Sequence, residues 1–101
     1  MILVRQVFQV KYGHMDPLLD MLKAVQDSGE DTGTLHRVLT DISGDNFTLV
    51  FESKAESLDA FWNSMQEMFQ DPERAGRVDP MQEHIISGHR EFYNIEWEAE
   101  D

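Results

Sequence analysis

The fold is decided by residues 2–25, which read ILVRQVFQVKYGHMDPLLDMLKAV. Up to Tyr12 the apolar side chains recur at nearly every second position, as they do in a strand with one buried face. A helical stripe then takes over, and it consists of Leu18, Met21, Leu22 and Val25. The change of period predicts a strand over residues 2–12 and a helix over residues 17–25, with Asp16 as the helix N-cap.

The alternation of strand and helix periods continues along the rest of the sequence. Two further strands are predicted over residues 35–42 and 47–51, and the turn-forming residues between them favour a hairpin. A second helix is predicted over residues 58–69, opened by a capping box at residues 53–56. Two Asp-Pro pairs favour short helical turns after it, and a last strand is predicted over residues 85–97.

The resulting order, β-α-β-β-α-β, is the ferredoxin-like or split βαβ arrangement. We therefore predict an α+β fold with an antiparallel sheet, formed by residues 1–101 as one domain with a single core. Helices cover one side of such a sheet, called here the helix face. The other side, the open face, must meet water or a partner.

The composition disfavours several classes of partner. The chain has 20 acidic and 8 basic residues, which gives a net charge of −12. That charge repels phosphate backbones and anionic lipid, so no nucleic acid and no membrane is expected as a partner. There is no cysteine for a disulfide or a thiolate metal site, and the histidine spacing predicts no metal site. No stretch reads as a signal peptide or a membrane span, which predicts a cytoplasmic protein.

The predicted open face mixes aliphatic with charged side chains. Its expected members are Leu3, Arg5, Val7, Leu35, Arg37, Leu39, Asp41, Thr48, Val50, Glu52, Ile86, Arg90 and Phe92. This face is too apolar for open water and too charged for an internal core. Burial against a second copy resolves the conflict, and the predicted homodimer interface residues are Arg5, Arg37, Arg90, Asp41 and Glu52. The alternative is an amphipathic sheet face that stays in solvent.

Three segments of the chain carry a family resemblance. The strand of residues 2–12, the helix that contains Phe61-Trp62 and the strand that contains residues 90–93 (REFY) resemble the dimeric α/β-barrel superfamily. The pattern is closest to its NIPSNAP-type, antibiotic-biosynthesis-monooxygenase-like and stress-responsive members. The resemblance implies that two subunits press their sheets together into a barrel, and that a ligand pocket lies between the sheet and the helices of each subunit.

The candidate site residues are those that would line such a pocket. By strand parity the polar residues of the helix face are Gln6, His36 and Thr40, joined by His89 and Glu91. Ligand binding is assigned to Gln6, Trp62, Asn63 and His89. His36 and His84 are the candidate catalytic bases, because imidazole titrates near neutral pH. The alternatives are that each histidine is exposed or bonded to the backbone, and that Trp62 is a core aromatic on a helical stripe.

The superfamily includes several activities, and a fold alone does not choose among them. The first hypothesis is a cofactor-independent monooxygenase-like enzyme acting on an apolar or aromatic small molecule, for which the protein supplies a dry cavity and a base. The alternative is a non-catalytic small-molecule-binding or stress-response module that uses the same cavity. A third hypothesis, haem binding or degradation, would use Trp62 and His84, although the first strand carries Gln6 where the haem-degrading branch has Asn.

Overall fold

The computed structural model describes residues 1–27 and 35–99. Its elements are β1 (Ile2–Val10), α1 (Met15–Asp27), β2 (Leu35–Thr40), β3 (Thr48–Ala55), α2 (Leu58–Gln70), α3 (Pro72–Gln82) and β4 (Ile85–Asn94). The predicted ferredoxin-like order is confirmed, with α3 added before the last strand. Within the described residues no helix is long and apolar enough to span a membrane.

The four strands form one sheet in the order β2-β3-β1-β4, and each neighbouring pair is antiparallel. Strand β1 lies inside the sheet, with Arg5 opposite Glu52 on one side and opposite Glu91 on the other. Strands β2 and β3 pair as the predicted hairpin. Because side chains alternate along a strand, this register assigns each residue to one face.

The core on the helix face is divided into two clusters. Val4, Ala55 and Phe61 form the first, and Val10, Leu18 and Leu49 form the second. The stripe of α1 supplies Leu18 and Leu22 to the second cluster, whereas the side chain of Val25 lies outside the description. Gln6 sits on β1 between Val4 and Val10, so a polar side chain separates the two apolar clusters.

The predicted capping box at residues 53–56 is wrong. Strand β3 continues through Ala55, where Ser53 pairs with Val4 in the sheet ladder. The cap is Ser57, whose side chain accepts a hydrogen bond of 3.1 Å from the backbone N–H of Ala60. The ladder already takes up the backbone groups before Ala55, so the first free helical N–H groups lie after Ser57.

Two other helix ends differ from the prediction. Helix α1 begins at Met15, so Asp16 lies in its first turn instead of at the N-cap. Its carboxylate still lies at the positive end of the helix dipole. The residues between α2 and β4 form one helix rather than short turns, with Asp71 as N-cap and Pro80 inside. Pro80 lies near the end of α3, and its missing N–H removes one backbone hydrogen bond from the last turns of the helix.

The predicted faces of β4 are wrong. Arg90 pairs with Gln6 and Phe92 with Val4, which puts both on the helix face, while His89 and Glu91 lie on the open face. The cause is a bulge opposite Gln9 and Val10, which shifts the pairing by one residue. One extra residue inverts the face of every side chain beyond it. Arg90 is therefore removed from the predicted dimer interface, and His89 from the predicted helix-face residues.

Candidate functional site

The open face carries an ion network centred on a buried carboxylate. Glu52 is only 4% exposed. Arg5 Nε lies 3.2 Å from Glu52 Oε2, and Arg37 Nε donates a hydrogen bond of 2.7 Å to Glu52 Oε1, which also accepts from Arg37 Nη2. Two guanidinium groups beside a buried carboxylate give it the ion pairs and hydrogen bonds that burial requires. The network fixes the polar centre of this face.

Around that network the open face is apolar and concave. A groove of about 480 Å³ has among its lining residues Val7, Leu39, Ile42, Val50 and His89. Asp41, predicted to pair with an arginine, instead accepts a hydrogen bond of 2.9 Å from the backbone N–H of Thr48 and closes the hairpin. Its role at an interface stays a prediction.

A second carboxylate on the open face gathers three neighbours. Glu91 Oε2 accepts from His89 Nε2 at 3.0 Å, and Glu91 Oε1 accepts from Tyr93 at 3.1 Å and from Arg5 Nη1 at 3.2 Å. The hydrogen bond from His89, followed by that from Tyr93 and the charge of Arg5, holds the pKa of Glu91 below its ordinary value of 4.5. This side chain therefore stays ionised well into acid.

A pocket of about 440 Å³ lies where the helix face meets the edge strand β4. It is called here the helix-side pocket, and it is lined by Gln6, Phe8, Ile85, Ser87, Gly88, His89 and Arg90. Its apolar wall is the Phe8 ring, which packs directly over Gly88. A Cβ at Gly88 would lie 2.7 Å from Phe8 Cδ1. The absence of a side chain at Gly88 therefore lets the ring lie against β4.

Arg90 is the charged group of the helix-side pocket. Its guanidinium carbon lies 5.3 Å from the centre of the Phe61 ring and 5.6 Å from that of Trp62. Its Nε is buried without a hydrogen-bond partner among the described residues. Trp62 is not the core aromatic that the helical stripe favours, because 48% of it is exposed.

The structure separates the predicted site residues. Gln6 and His89 line the helix-side pocket, although the side chain of His89 lies on the open face of the edge strand. The ring of Trp62 lies within cation–π distance of Arg90. Asn63 is exposed on α2 and does not line this pocket. His36 is exposed on β2. The pKa of Glu98 lies below its ordinary value, mainly because of the hydrogen bond from Lys54, and the charge of His36 makes a smaller contribution.

His84 lies away from the pocket and contacts another histidine. Its Nδ1 is 2.9 Å from Nδ1 of His14, and the ring centres are 5.2 Å apart. His84 immediately precedes β4 and comes six residues before Arg90, so roughly 20 Å of extended chain separate it from the position beside Trp62. Trp62 and His84, the residues of the haem hypothesis, therefore lie far apart.

Sequence reasoning missed two features of the helix face. Arg90 was expected on the other face, and the contact between His14 and His84 was not expected. The signal for the first was Gly88, because an isolated glycine in a strand pattern indicates a bulge or a close approach of another group. No comparable signal marks the histidine contact, since it joins two loops that are 70 residues apart.

Solved structures of two kinds share this fold. A NIPSNAP domain protein from Burkholderia xenovorans is 16% identical, with a TM-score of 0.82 and 100% of both chains covered. A NIPSNAP family protein from Agrobacterium tumefaciens is 15% identical, with a TM-score of 0.82 over 96% of this chain and 88% of its own. An antibiotic biosynthesis monooxygenase is 11% identical, with a TM-score of 0.63 over 93% of this chain and 97% of its own.

No protein-family model and no curated protein matches the sequence. Because the sequence identities to these solved structures are 11–16%, the similarity shows a shared fold and nothing about function. The chain has the ferredoxin-like fold that NIPSNAP proteins and antibiotic biosynthesis monooxygenases share.

Proposed function

We propose that the protein is a small-molecule-binding module that holds an apolar or aromatic ligand in the helix-side pocket. The observation that carries the proposal is the pocket itself, of about 440 Å³, in which Gln6 and Arg90 stand beside the Phe8 ring. A concave, largely apolar site with a few polar groups that fix orientation is the usual form of a small-molecule site.

Binding is favoured over catalysis by the positions of the histidines. Neither His36 nor His84, the candidate bases, lines the pocket. A base must come within hydrogen-bond reach of the proton that it removes, directly or through one water. The pocket also opens to solvent at the sheet edge, whereas oxygen chemistry on a bare substrate needs a dry cavity.

The test is a titration of the protein with naphthamide, a neutral aromatic probe, followed by backbone amide NMR. We expect shift changes at Gln6, Gly88 and Arg90. The matched pair of variants is Gln6→Met and Gln9→Met, since these residues lie on opposite faces of β1. Gln6→Met should weaken the binding several-fold and Gln9→Met should not. Shift changes confined to the open face, or none at all, would contradict the proposal.

We propose that the protein acts as a homodimer in the cytoplasm, with the open face of each subunit against the other. The support is the groove that Val7, Leu39 and the fully exposed Ile42 line beside the buried carboxylate of Glu52, a surface that open water disfavours. Each chain of 11.7 kDa would then sediment as a particle of twice that mass.

Analytical ultracentrifugation over a wide concentration range tests the dimer. Leu39→Glu on the open face should give the mass of a single chain at concentrations where the wild type is double. The control is Asn63→Glu on the exposed surface of α2, which should leave the mass unchanged. A wild-type chain that sediments singly at high concentration would rule out the dimer.

The second candidate is cofactor-independent oxygenation, which one observation favours. His89 stands at the pocket rim with its Nε2 bonded to Glu91 at 3.0 Å, an arrangement in which the carboxylate orients the imidazole. His89 would remove a phenolic proton, and the electron-rich ring would reduce oxygen. An activated ring CH₂ would become C=O, one oxygen atom entering the product and the other leaving as water.

An oxygen electrode and anthrone, a reduced polycyclic phenol tautomer, test this second candidate. We expect oxygen uptake above the background oxidation and its loss in His89→Gln, with His36→Gln as the control. Uptake no faster than background, or uptake equal in both variants, would leave the binding function alone.

A further inference from the structure

We propose that the ligand of the helix-side pocket is an organic anion, of which a carboxylate is the simplest, and that Arg90 binds its charged group. This inference rests on the proposed binding function and names the class of ligand. It follows from the partners of the Arg90 guanidinium, compared with those of the other two arginines whose side chains the structure describes.

Arg90 lacks the carboxylate partner that the other two arginines with described side chains have. Of the three arginines whose side chains are described, Arg5 and Arg37 are both paired with Glu52. Lys54 is paired with Glu98 at 2.6 Å. Among the described residues no carboxylate lies within ion-pair distance of Arg90, and neither Arg90 Nε nor Arg5 Nε has a hydrogen-bond partner, but Arg5 Nε lies 3.2 Å from a Glu52 oxygen. Arg90 is therefore the one arginine with a described side chain that has no described carboxylate partner.

The surroundings hold the guanidinium in place without using its donors. Phe61 and Trp62 both lie within cation–π distance of it, and this attraction acts through the aromatic ring faces. The five N–H groups of arginine lie in the plane of the guanidinium and form a fork that matches a carboxylate. A guanidinium held by rings is therefore ready to donate two parallel hydrogen bonds to an oxyanion.

Gln6 supplies a second donor beside the same place. It lies directly opposite Arg90 on the adjacent strand, and both residues line the helix-side pocket. Directly opposite side chains on neighbouring strands start about 5 Å apart at Cβ, so the amide and the guanidinium can contact one small group. The Phe8 ring gives the rest of the ligand an apolar surface. The pocket therefore combines an anion site with an aromatic wall.

The net charge of the chain does not oppose this inference. A charge of −12 spread over the surface repels anions at a distance, but physiological salt screens exposed charges beyond about 8 Å. Contact with Arg90 is local and partly shielded from water, so it dominates once the ligand is bound. The distant repulsion should slow association more than it weakens the bound state.

The test compares naphthoate with naphthamide, which have the same ring system and nearly the same shape but differ in charge. Isothermal titration should show naphthoate binding about tenfold more tightly to the wild type. Arg90→Gln should abolish this preference, because naphthoate binding should weaken by a larger factor than naphthamide binding. Arg90→Lys should recover part of it, because lysine keeps the charge and loses the planar fork. Arg37→Gln, on the open face, is the control and should keep the full preference.

The outcomes separate this inference from the proposed function. Equal binding of the two probes, or a preference that persists in Arg90→Gln, would overturn the anion site and leave the binding function intact. Absence of binding by both probes would overturn the binding function itself. Circular dichroism of each variant distinguishes a lost contact from a lost fold.

Discussion

On the open face of the sheet, Arg5 and Arg37 grip the buried carboxylate of Glu52, whereas on the helix face Arg90 rests on the rings of Phe61 and Trp62. In the first arrangement both guanidinium groups are paired with a carboxylate of the same chain. The second leaves a cation whose Nε has no hydrogen-bond partner among the described residues. The difference teaches that one face pairs its arginines within the chain, whereas the other keeps a cation for the ligand that we propose.

The largest expected effect compares neighbouring residues that point to opposite faces. Leu49 is fully buried in the second core cluster and Val50 lies on the open face. Leu49→Ala should lower the free energy of unfolding by about 3 kcal/mol, since it leaves a cavity that the core only partly refills. The loss of unfolding free energy in Val50→Ala should be smaller, and it should vary with protein concentration because Val50 lies on the face that we propose as the dimer interface. Urea unfolding at two concentrations measures both, and equal costs would erase the distinction between the faces.

The next effect tests the wall of the helix-side pocket. Gly88→Ala puts a methyl group 2.7 Å from Phe8 Cδ1, so the ring must move. We expect a loss of about 2 kcal/mol of stability from this overpacking, together with weaker ligand binding. The control is Gly76→Ala in α3, where nothing lies within 4 Å of the new Cβ. That change should stabilise the helix by up to about 1 kcal/mol. A melting temperature of Gly88→Ala equal to that of the wild type would contradict the close contact between Gly88 and the Phe8 ring.

A smaller effect is expected from the ion network. Glu52→Gln removes the charge that holds Arg5 and Arg37 but keeps the shape of the side chain. We expect a loss of about 1–2 kcal/mol, because both guanidinium groups can turn partly toward solvent. The control is Glu98→Gln in an exposed pair with Lys54, which should leave the melting temperature unchanged. Equal melts of the two variants would mean that the buried carboxylate is held no more tightly than a surface one.

The smallest effect is a pH dependence of stability on the open face. The pKa of Glu91 is lowered in the folded chain by the hydrogen bond from His89, so its ionised form favours folding. That contribution is fully present above the ordinary carboxyl pKa of 4.5 and is lost as the pH falls through the lower folded value. Between pH 6 and about pH 3, roughly the range in which carboxylates titrate, the melting temperature of Glu91→Gln should fall less steeply than that of the wild type. Parallel curves for the variant and the wild type would contradict the assignment.

The sequence predicted the element order well because periods of two and of 3.6 are strong signals over long segments. It failed where one residue mattered. The bulge opposite Val10 reverses Arg90 and Glu91, and no period reveals a single unpaired residue. The charged group of the helix-side pocket could not be predicted without that reversal, because Arg90 lies on β4 beyond the bulge. Ser57 was missed because Ser53 offered a capping pattern that the sheet ladder overrode.

The contact between His14 and His84 has a consequence for the protons of the two rings. The separation of the ring centres, 5.2 Å, is close to what a straight line through both Nδ1 atoms requires when these are 2.9 Å apart. A straight N–H···N bond has room for one hydrogen, so in the neutral pair one imidazole carries its hydrogen on Nδ1 and the other on Nε2. Two chemically identical side chains thus become different tautomers, and the start of α1 is tied to the start of β4 by that asymmetry.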